Sequence, residues 1–96
     1  MGGFVYILTN KDTSVLYTGV TSNLQQRIWQ HKTHYFPQSF TAKYNISKLV
    51  YYNYFNTIEE AIKEEKRIKS DSRNSKIKLI DSMNKEWIDL YVTIEF

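Results

Sequence analysis

The stretch FVYILTNKDTSVLYTGVT, residues 4–21, decides the fold. Phe4 to Thr9 and Val15 to Thr21 are rich in β-branched and aromatic residues, which fit a pleated, half-buried surface. Between them lies the polar run Asn10-Lys11-Asp12-Thr13-Ser14, whose side chains favour turns. Two strands joined by a short polar turn make a β-hairpin. Alternation along the first strand puts Phe4, Tyr6 and Leu8 on one face and Val5 and Ile7 on the other.

Downstream, Ser22 or Asn23 can cap a helix running to about Lys32, with Leu24 and Ile28 one turn apart on its buried face. Residues 33–45 hold the only proline and no clean period, so they read as an aromatic, basic loop with room for one helical turn. Lys48 to Phe55 reads as a third strand. Its unbroken Leu49-Val50-Tyr51 predicts a central place in the sheet. Thr57-Ile58-Glu59-Glu60 matches the capping box and predicts a helix to about Ser70, with Ile58, Ala61, Ile62 and Ile68 as its apolar stripe. A further helix is predicted from Asn74 or Ser75 to Ser82, turning Ile77, Ile80 and Met83 inward, followed by a tail from Trp87 to Phe96 apolar enough to dock. The order strand, strand, helix, strand, helix, helix implies an α+β fold in which an antiparallel sheet is covered by helices.

At 96 residues, 42% of them hydrophobic, the chain suits one domain over residues 1–96. So short a domain buries only about 60–65% of the surface its unfolded chain exposes. The 8 Tyr, 5 Phe and 2 Trp are an efficient way to enlarge that burial. The absence of cysteine excludes disulfides and thiolate metal sites, so a metal here would take oxygen or imidazole ligands, favouring Mg²⁺ or Mn²⁺ over structural zinc. No signal-peptide pattern and no long apolar run suitable for a membrane is present, which points to a cytoplasmic protein. No P-loop, GxGxxG, GxSxG or HExxH motif occurs, excluding several enzyme classes. The net charge of +3 is compatible with a polyanionic partner. Lys63, Lys66, Arg67, Lys69, Arg73, Lys76 and Lys78 concentrate positive charge late in the chain, consistent with a solvated helix face or a nucleic-acid contact.

Glu65 falls near the centre of the apolar stripe of its helix. An unpaired buried carboxylate costs several kcal/mol, so Glu65 requires a cation: a lysine, an arginine or a metal. Glu59, Glu60 and Glu64 read as solvated. Tyr6 and Tyr17 stand on paired strands, as ordinary cross-strand aromatics or as phenols able to position or deprotonate a water. Gly19 can permit a bulge or a close approach. Arg27 and His31, one helical turn apart, could both face a phosphate.

Phe4-Val5-Tyr6, ten intervening residues and Tyr17-Thr18-Gly19 resemble the paired elements that give the GIY-YIG nucleases their name. Arg27 and His31 follow where that family has its Arg and His, and EEAIKEEKRIK (59–69) resembles the helix with its metal-binding Glu, here Glu65. NKEWIDLY (84–91) is similar to the end of the small, single-domain bacterial members of the UPF0213 type. Phe4, Val5 and Thr18 replace the motif's Gly, Ile and middle Ile, and Asn84 is the candidate for the family's late Asn. The resemblance implies a three-stranded antiparallel sheet flanked by helices and a metal-dependent DNA endonuclease, directed to particular DNA structures or to damage and repair. It implies catalytic roles for Tyr6, Tyr17, Arg27, His31 and Glu65. Glu65 would ligate Mg²⁺ or Mn²⁺, Arg27 would stabilise the transition state, and Tyr17 or Tyr6, with His31, would activate water. Lys43, Lys66, Arg67, Lys69 and Arg73 are the expected backbone contacts to DNA. A non-catalytic nucleic-acid-binding module of the same fold and a protein-interaction domain are the alternatives; the oligomeric state is not encoded in any motif.

Overall fold

The computed structural model describes residues 1–94. Three strands, β1 (Gly3–Thr9), β2 (Leu16–Thr21) and β3 (Lys48–Phe55), form an antiparallel sheet in the order β2-β1-β3. Four helices accompany it: α1 (Leu24–Lys32), α2 (Phe40–Lys43), α3 (Ile58–Lys69) and α4 (Arg73–Met83), followed by a 3₁₀ turn at Leu90–Thr93. The α+β class and the hairpin are as expected. Tyr6 lies opposite Gly19 in the β1–β2 register.

The central strand is β1, not β3 as the sequence suggested. Between Ile7 and Leu8 the β1–β3 register slips: Ile7 faces Tyr51 while Leu8 faces Leu49. Val50 is therefore the extra residue of a β-bulge, where two residues oppose one and the alternation of faces breaks. Leu49 then packs on one side of the sheet and both Val50 and Tyr51 on the other. The bulge, not a central position, makes the apolar run continuous.

Each face of the sheet is covered. On one, Tyr6, Leu8 and Leu49 pack with Leu24 and Ile28 of α1, Ile46, and Leu90 and Ile94 of the tail, which docks as far as Ile94; Glu95 and Phe96, the last residues of the expected tail, lie outside the described residues. On the other, Val5, Ile7, Val50 and Tyr51 pack with Ala61 and Ile68 of α3 and Ile80 of α4. Met83 and Ile62 face outward, contrary to expectation. The second apolar residue of α4 is Leu79, which packs partly against this core.

Helix starts follow their capping residues: Asn23 receives the Gln26 amide, Thr57 that of Glu60, and Ser72 that of Ser75. Ser72, rather than Asn74 or Ser75, opens α4. At Thr57 the capping box is half formed: the Glu60 carboxylate accepts from the Thr57 hydroxyl at 3.0 Å. Asn84 closes α4 and is buried, its amide donating to the carbonyls of Val50 and Ile88 and its oxygen accepting from the Ile88 amide. It thereby fastens the tail to β3.

Candidate active site

The sequence places Tyr6 and Tyr17 on adjacent strands, on the face that α1 covers, and α1 lays Arg27 and His31 over them. Tyr6 is buried, with its hydroxyl 2.9 Å from Nε2 of His31. On the far side of the ring, Nδ1 of His31 is 2.9 Å from the hydroxyl of Thr41 in α2. Both ring nitrogens are engaged, so the imidazole is held in one orientation. The Tyr6 and Tyr17 rings both meet it edge-on, at centroid separations of 5.7 and 5.8 Å.

His31 is 8% exposed, and burial, aided by the nearby Arg27 charge, lowers its pKa to about 4. At neutral pH it is an uncharged imidazole, not the exposed phosphate donor that its pairing with Arg27 suggested. Burial likewise raises the Tyr6 phenol to about 12. Arg27 offsets this in part, while the charge of Glu65 adds to it. Tyr6 is thus a neutral phenol.

Gly19 explains how the ring fits. A Cβ there would sit 2.4 Å from the tip of the Tyr6 ring, so the strand opposite Tyr6 must lack a side chain. The bulge or close approach of another backbone expected at Gly19 is not what occurs: the register across it is unbroken, and the close neighbour is the Tyr6 side chain.

In front of these groups lies a small cleft of about 50 Å³ lined by Tyr17, Arg27, Gln30, His31, Phe36 and Ser39, among others. Such a volume accommodates a water or a single phosphoryl oxygen. The Arg27 guanidinium donates to Gln30 at 3.3 Å and lies 5.9 Å from the Phe36 ring centroid. Tyr17, half-buried, is the phenol that reaches the cleft.

Thr41 is the member that sequence reasoning missed. It lies ten residues beyond His31 in a segment without period. The one local sign was Ser39, which caps α2 by accepting the Ala42 amide. Beyond α2, Asn45 takes a left-handed conformation (φ 54°), and the Ile46 amide returns to the Thr41 carbonyl at 2.9 Å. That helix ending fixes Thr41 through its backbone.

Glu65 is held low on α3, its side chain 12% exposed and 2.6 Å from the Lys69 ammonium. Of the cations the sequence left open, Lys69 is the one present. Glu64 is not simply solvated: Arg67 grips it with two bonds of 2.7 and 2.6 Å and lowers its pKa. The same contact raises the pKa of Arg67. Arg73 donates to the carbonyls of Thr13 and Ser14, tying α4 to the hairpin turn. Thus Arg67, Lys69 and Arg73 are engaged within the fold, whereas Lys43 and Lys66 are exposed and make no ion pair among the described residues. Asn84 is spent on backbone groups away from the cleft.

A hairpin with a phenol on each strand, an Arg and a His on the following helix, and a largely buried Glu on a later helix define the GIY-YIG type of catalytic domain. The family model described as the GIY-YIG catalytic domain matches residues 2–78, and the chain belongs to that family. A UPF0213 protein of Clostridium perfringens is 43% identical over 83 residues, covering 82% of this chain and 83% of that protein. One from Oceanobacillus iheyensis is 39% identical over 87 residues, covering 86% and 94%. The solution NMR structure of a UPF0213 protein from Bacillus halodurans aligns over 93% of each chain at 31% identity, with a TM-score of 0.58. The family is one of nucleases, with nucleic acid as the implied substrate. Among the described residues, no helix is long and apolar enough to cross a membrane.

Proposed function

We propose that residues 1–96 form one nuclease domain that hydrolyses phosphodiester bonds in DNA, in the cytoplasm, with a divalent Mg²⁺ or Mn²⁺ ion held by Glu65. The observation that carries this reading is the meeting of Tyr17, Arg27 and His31 at one cleft, with the buried Tyr6 hydroxyl behind it on Nε2 of His31.

The donor set fits such an ion. Glu65 offers a hard carboxylate oxygen of the kind Mg²⁺ takes, at present paired with Lys69. One protein ligand leaves the remaining positions to water and substrate oxygens, as Mg²⁺ favours. Bound there, the ion would supply neutralisation of charge on the scissile phosphate and the departing 3′ oxygen. Lys69 must release Glu65 for this, a modest demand on a side chain 53% exposed.

Arg27 stands at the cleft with a permanent charge and a planar fork of donors suited to phosphoryl oxygens in the transition state. Tyr17 orients the attacking water from the cleft wall. Tyr6 and Thr41 act behind it as positioning residues, fixing the His31 ring so that its cleft-facing edge stays in place. If Nε2 accepts the Tyr6 proton, Nδ1 carries the hydrogen donated to Thr41. Lys43 and Lys66, with Arg67, Lys69 and Arg73 where their present partners release them, add phosphate contacts that make binding salt-dependent.

Purified protein is expected to cut a nicked, branched or single-stranded DNA in Mg²⁺ or Mn²⁺. Glu65→Gln and Arg27→Ala should each lose at least about a hundredfold in rate, while retaining the wild-type circular dichroism spectrum. Equal behaviour of wild type and Glu65→Gln across a broad substrate panel would refute the proposal.

A further inference from the structure

Beside the cleft, and outside the positions the family resemblance assigns, lies a group of large aromatic side chains turned to solvent. Trp29, Tyr35, Phe36, Phe40 and Tyr44 are each about half exposed. Folding ordinarily removes such surface from water, and exposed aromatic side chains that cluster, here as Trp29–Tyr35–Phe36 and as Phe40–Tyr44, suit a binding surface.

Their arrangement is held by the backbone. At the end of α1, His34 is left-handed (φ 53°), and the amides of His34 and Tyr35 return to the carbonyls of His31 and Gln30 at 3.3 and 2.9 Å. That paired closure reverses the chain over the last turn of α1. Tyr35 is thereby brought against Trp29 at a centroid separation of 5.9 Å and against Phe36 at 4.9 Å. Phe40 and Tyr44 form a second pair, also at 4.9 Å, on α2. Phe36 belongs both to this shelf and to the cleft wall, with the Arg27 guanidinium near its ring.

The segment that carries the shelf holds positive charge only. Between Asp12 and Glu59 the chain contains no acidic residue, while Arg27, Lys32, Lys43 and Lys48 all fall in that interval. Of these, Lys32 is paired with Asp89 of the tail. Arg27 at the cleft and the exposed Lys43 on α2 remain for an outside anion. A surface that sets flat π faces beside cations, carries no carboxylate of its own segment and runs into a cleft able to seat a phosphoryl oxygen suits a polyanion whose flat groups are free to stack. Intact duplex hides its base faces; an unpaired strand offers them.

We propose that Trp29, Tyr35 and Phe36, extended by Phe40 and Tyr44, form a stacking shelf for unpaired nucleobases, and that it selects single-stranded or splayed DNA for the adjacent cleft. This deepens the nuclease reading by naming its substrate class, but the shelf itself can be tested without cleavage.

The test uses full-length Glu65→Gln protein without divalent metal, titrated with fluorescent oligo(dT), an abasic strand of equal length, a duplex of equal length and oligo(rU). Oligo(dT) is expected to bind at least tenfold more tightly than the abasic strand and the duplex, and no more weakly than oligo(rU). Tyr35→Ala and Tyr44→Ala should each weaken oligo(dT) binding by about fivefold or more, with duplex binding and the midpoint of unfolding little changed. In a Trp87→Phe background, which leaves Trp29 as the single tryptophan, oligo(dT) should quench its emission. Equal affinity for oligo(dT) and the abasic strand would overturn the proposal, because phosphate charge alone would then explain binding. So would a clear preference for oligo(rU), which would assign the shelf to RNA, or micromolar dimerisation abolished by Phe36→Ala, which would assign it to a second copy of this chain. Base-dependent binding by a protein that cuts nothing would sink the nuclease reading and leave the shelf standing.

Discussion

Acidification from pH 7.5 to 5 should destabilise the protein through a single imidazole. His31 is buried between the Tyr6 and Thr41 hydroxyls, with its pKa lowered to about 4 from an ordinary 6.5. Below pH 6.5 the unfolded chain takes up a proton at this site that the folded protein refuses, so stability is whole at pH 7.5 and is lost as pH falls from 6.5 toward 4. The two pKa values give a loss of about 2 kcal/mol at pH 5 and about 3 kcal/mol at pH 4. Other groups, among them the Glu64 carboxyl that Arg67 holds below the ordinary carboxylate range, also cost stability as the solution becomes acid, which calls for a difference measurement. His31→Gln removes the titration while leaving an amide to meet the Tyr6 hydroxyl, and it keeps every other charge. Urea unfolding followed by tryptophan fluorescence, for both proteins at several pH values from 7.5 to 5, yields the gap between them. Whatever that gap is at pH 7.5, it should shift by about 2 kcal/mol in favour of the variant at pH 5. A gap constant to within about 0.5 kcal/mol would show that His31 is not held neutral, and the picture of a locked imidazole would be wrong.

Two further substitutions test the framework around the site. Gly19→Ala places a methyl 2.4 Å from the buried tip of Tyr6, so thermal unfolding should report a loss of about 1–3 kcal/mol. DNA cleavage should fall more than the lost folded fraction accounts for, because Tyr6 must leave His31. Asn84→Ala strips partners from the Val50 and Ile88 carbonyls and the Ile88 amide. It should cost about 2–3 kcal/mol in urea unfolding and leave the oligo(dT) affinity of the folded protein unchanged, whereas a large affinity loss would place Asn84 in the site after all.

The hairpin, the starts of α1 and α3 and the faces of β1 were legible because each depends on neighbours in sequence. Asn23 and Thr57 cap whatever follows them, and alternation assigns Tyr6 and Val5 to opposite sides without knowledge of any partner; α4 instead opens at Ser72, ahead of the Asn74 or Ser75 that the sequence suggests. What escaped the sequence depends on distant pairing. Val50 is an extra residue only once β3 is set against β1, so the run Leu49-Val50-Tyr51 suggested burial from strands on both sides where a bulge was responsible. Thr41 matters because α2 folds back to His31, and no spacing rule connects a threonine to an imidazole through an aperiodic loop. For Glu65 the sequence demands a cation without choosing one, and Lys69, one turn along the same helix, reads in a basic run as a DNA contact while the fold pairs it with Glu65. The Lys43 and Lys66 side chains retain the freedom that a phosphate contact needs; Arg73, tied to the hairpin turn, shows how a basic residue in a basic run can serve packing instead.

The position of β1 in the middle of the sheet also governs the order in which the chain can be completed. Its first partner, β2, arrives across a short turn and can pair within microseconds. The second, β3, must wait for α1, the aromatic loop and α2 to be gathered in, a long closure that slows folding. During that interval one side of FVYILT, a segment with no charge and no proline, is an open edge with unsatisfied amides and carbonyls. The strand that gives Tyr6 a rigid seat in the finished molecule is thus its most adhesive segment while the molecule is half made. Crowded refolding, rather than heating of the native state, is where losses to aggregation should concentrate.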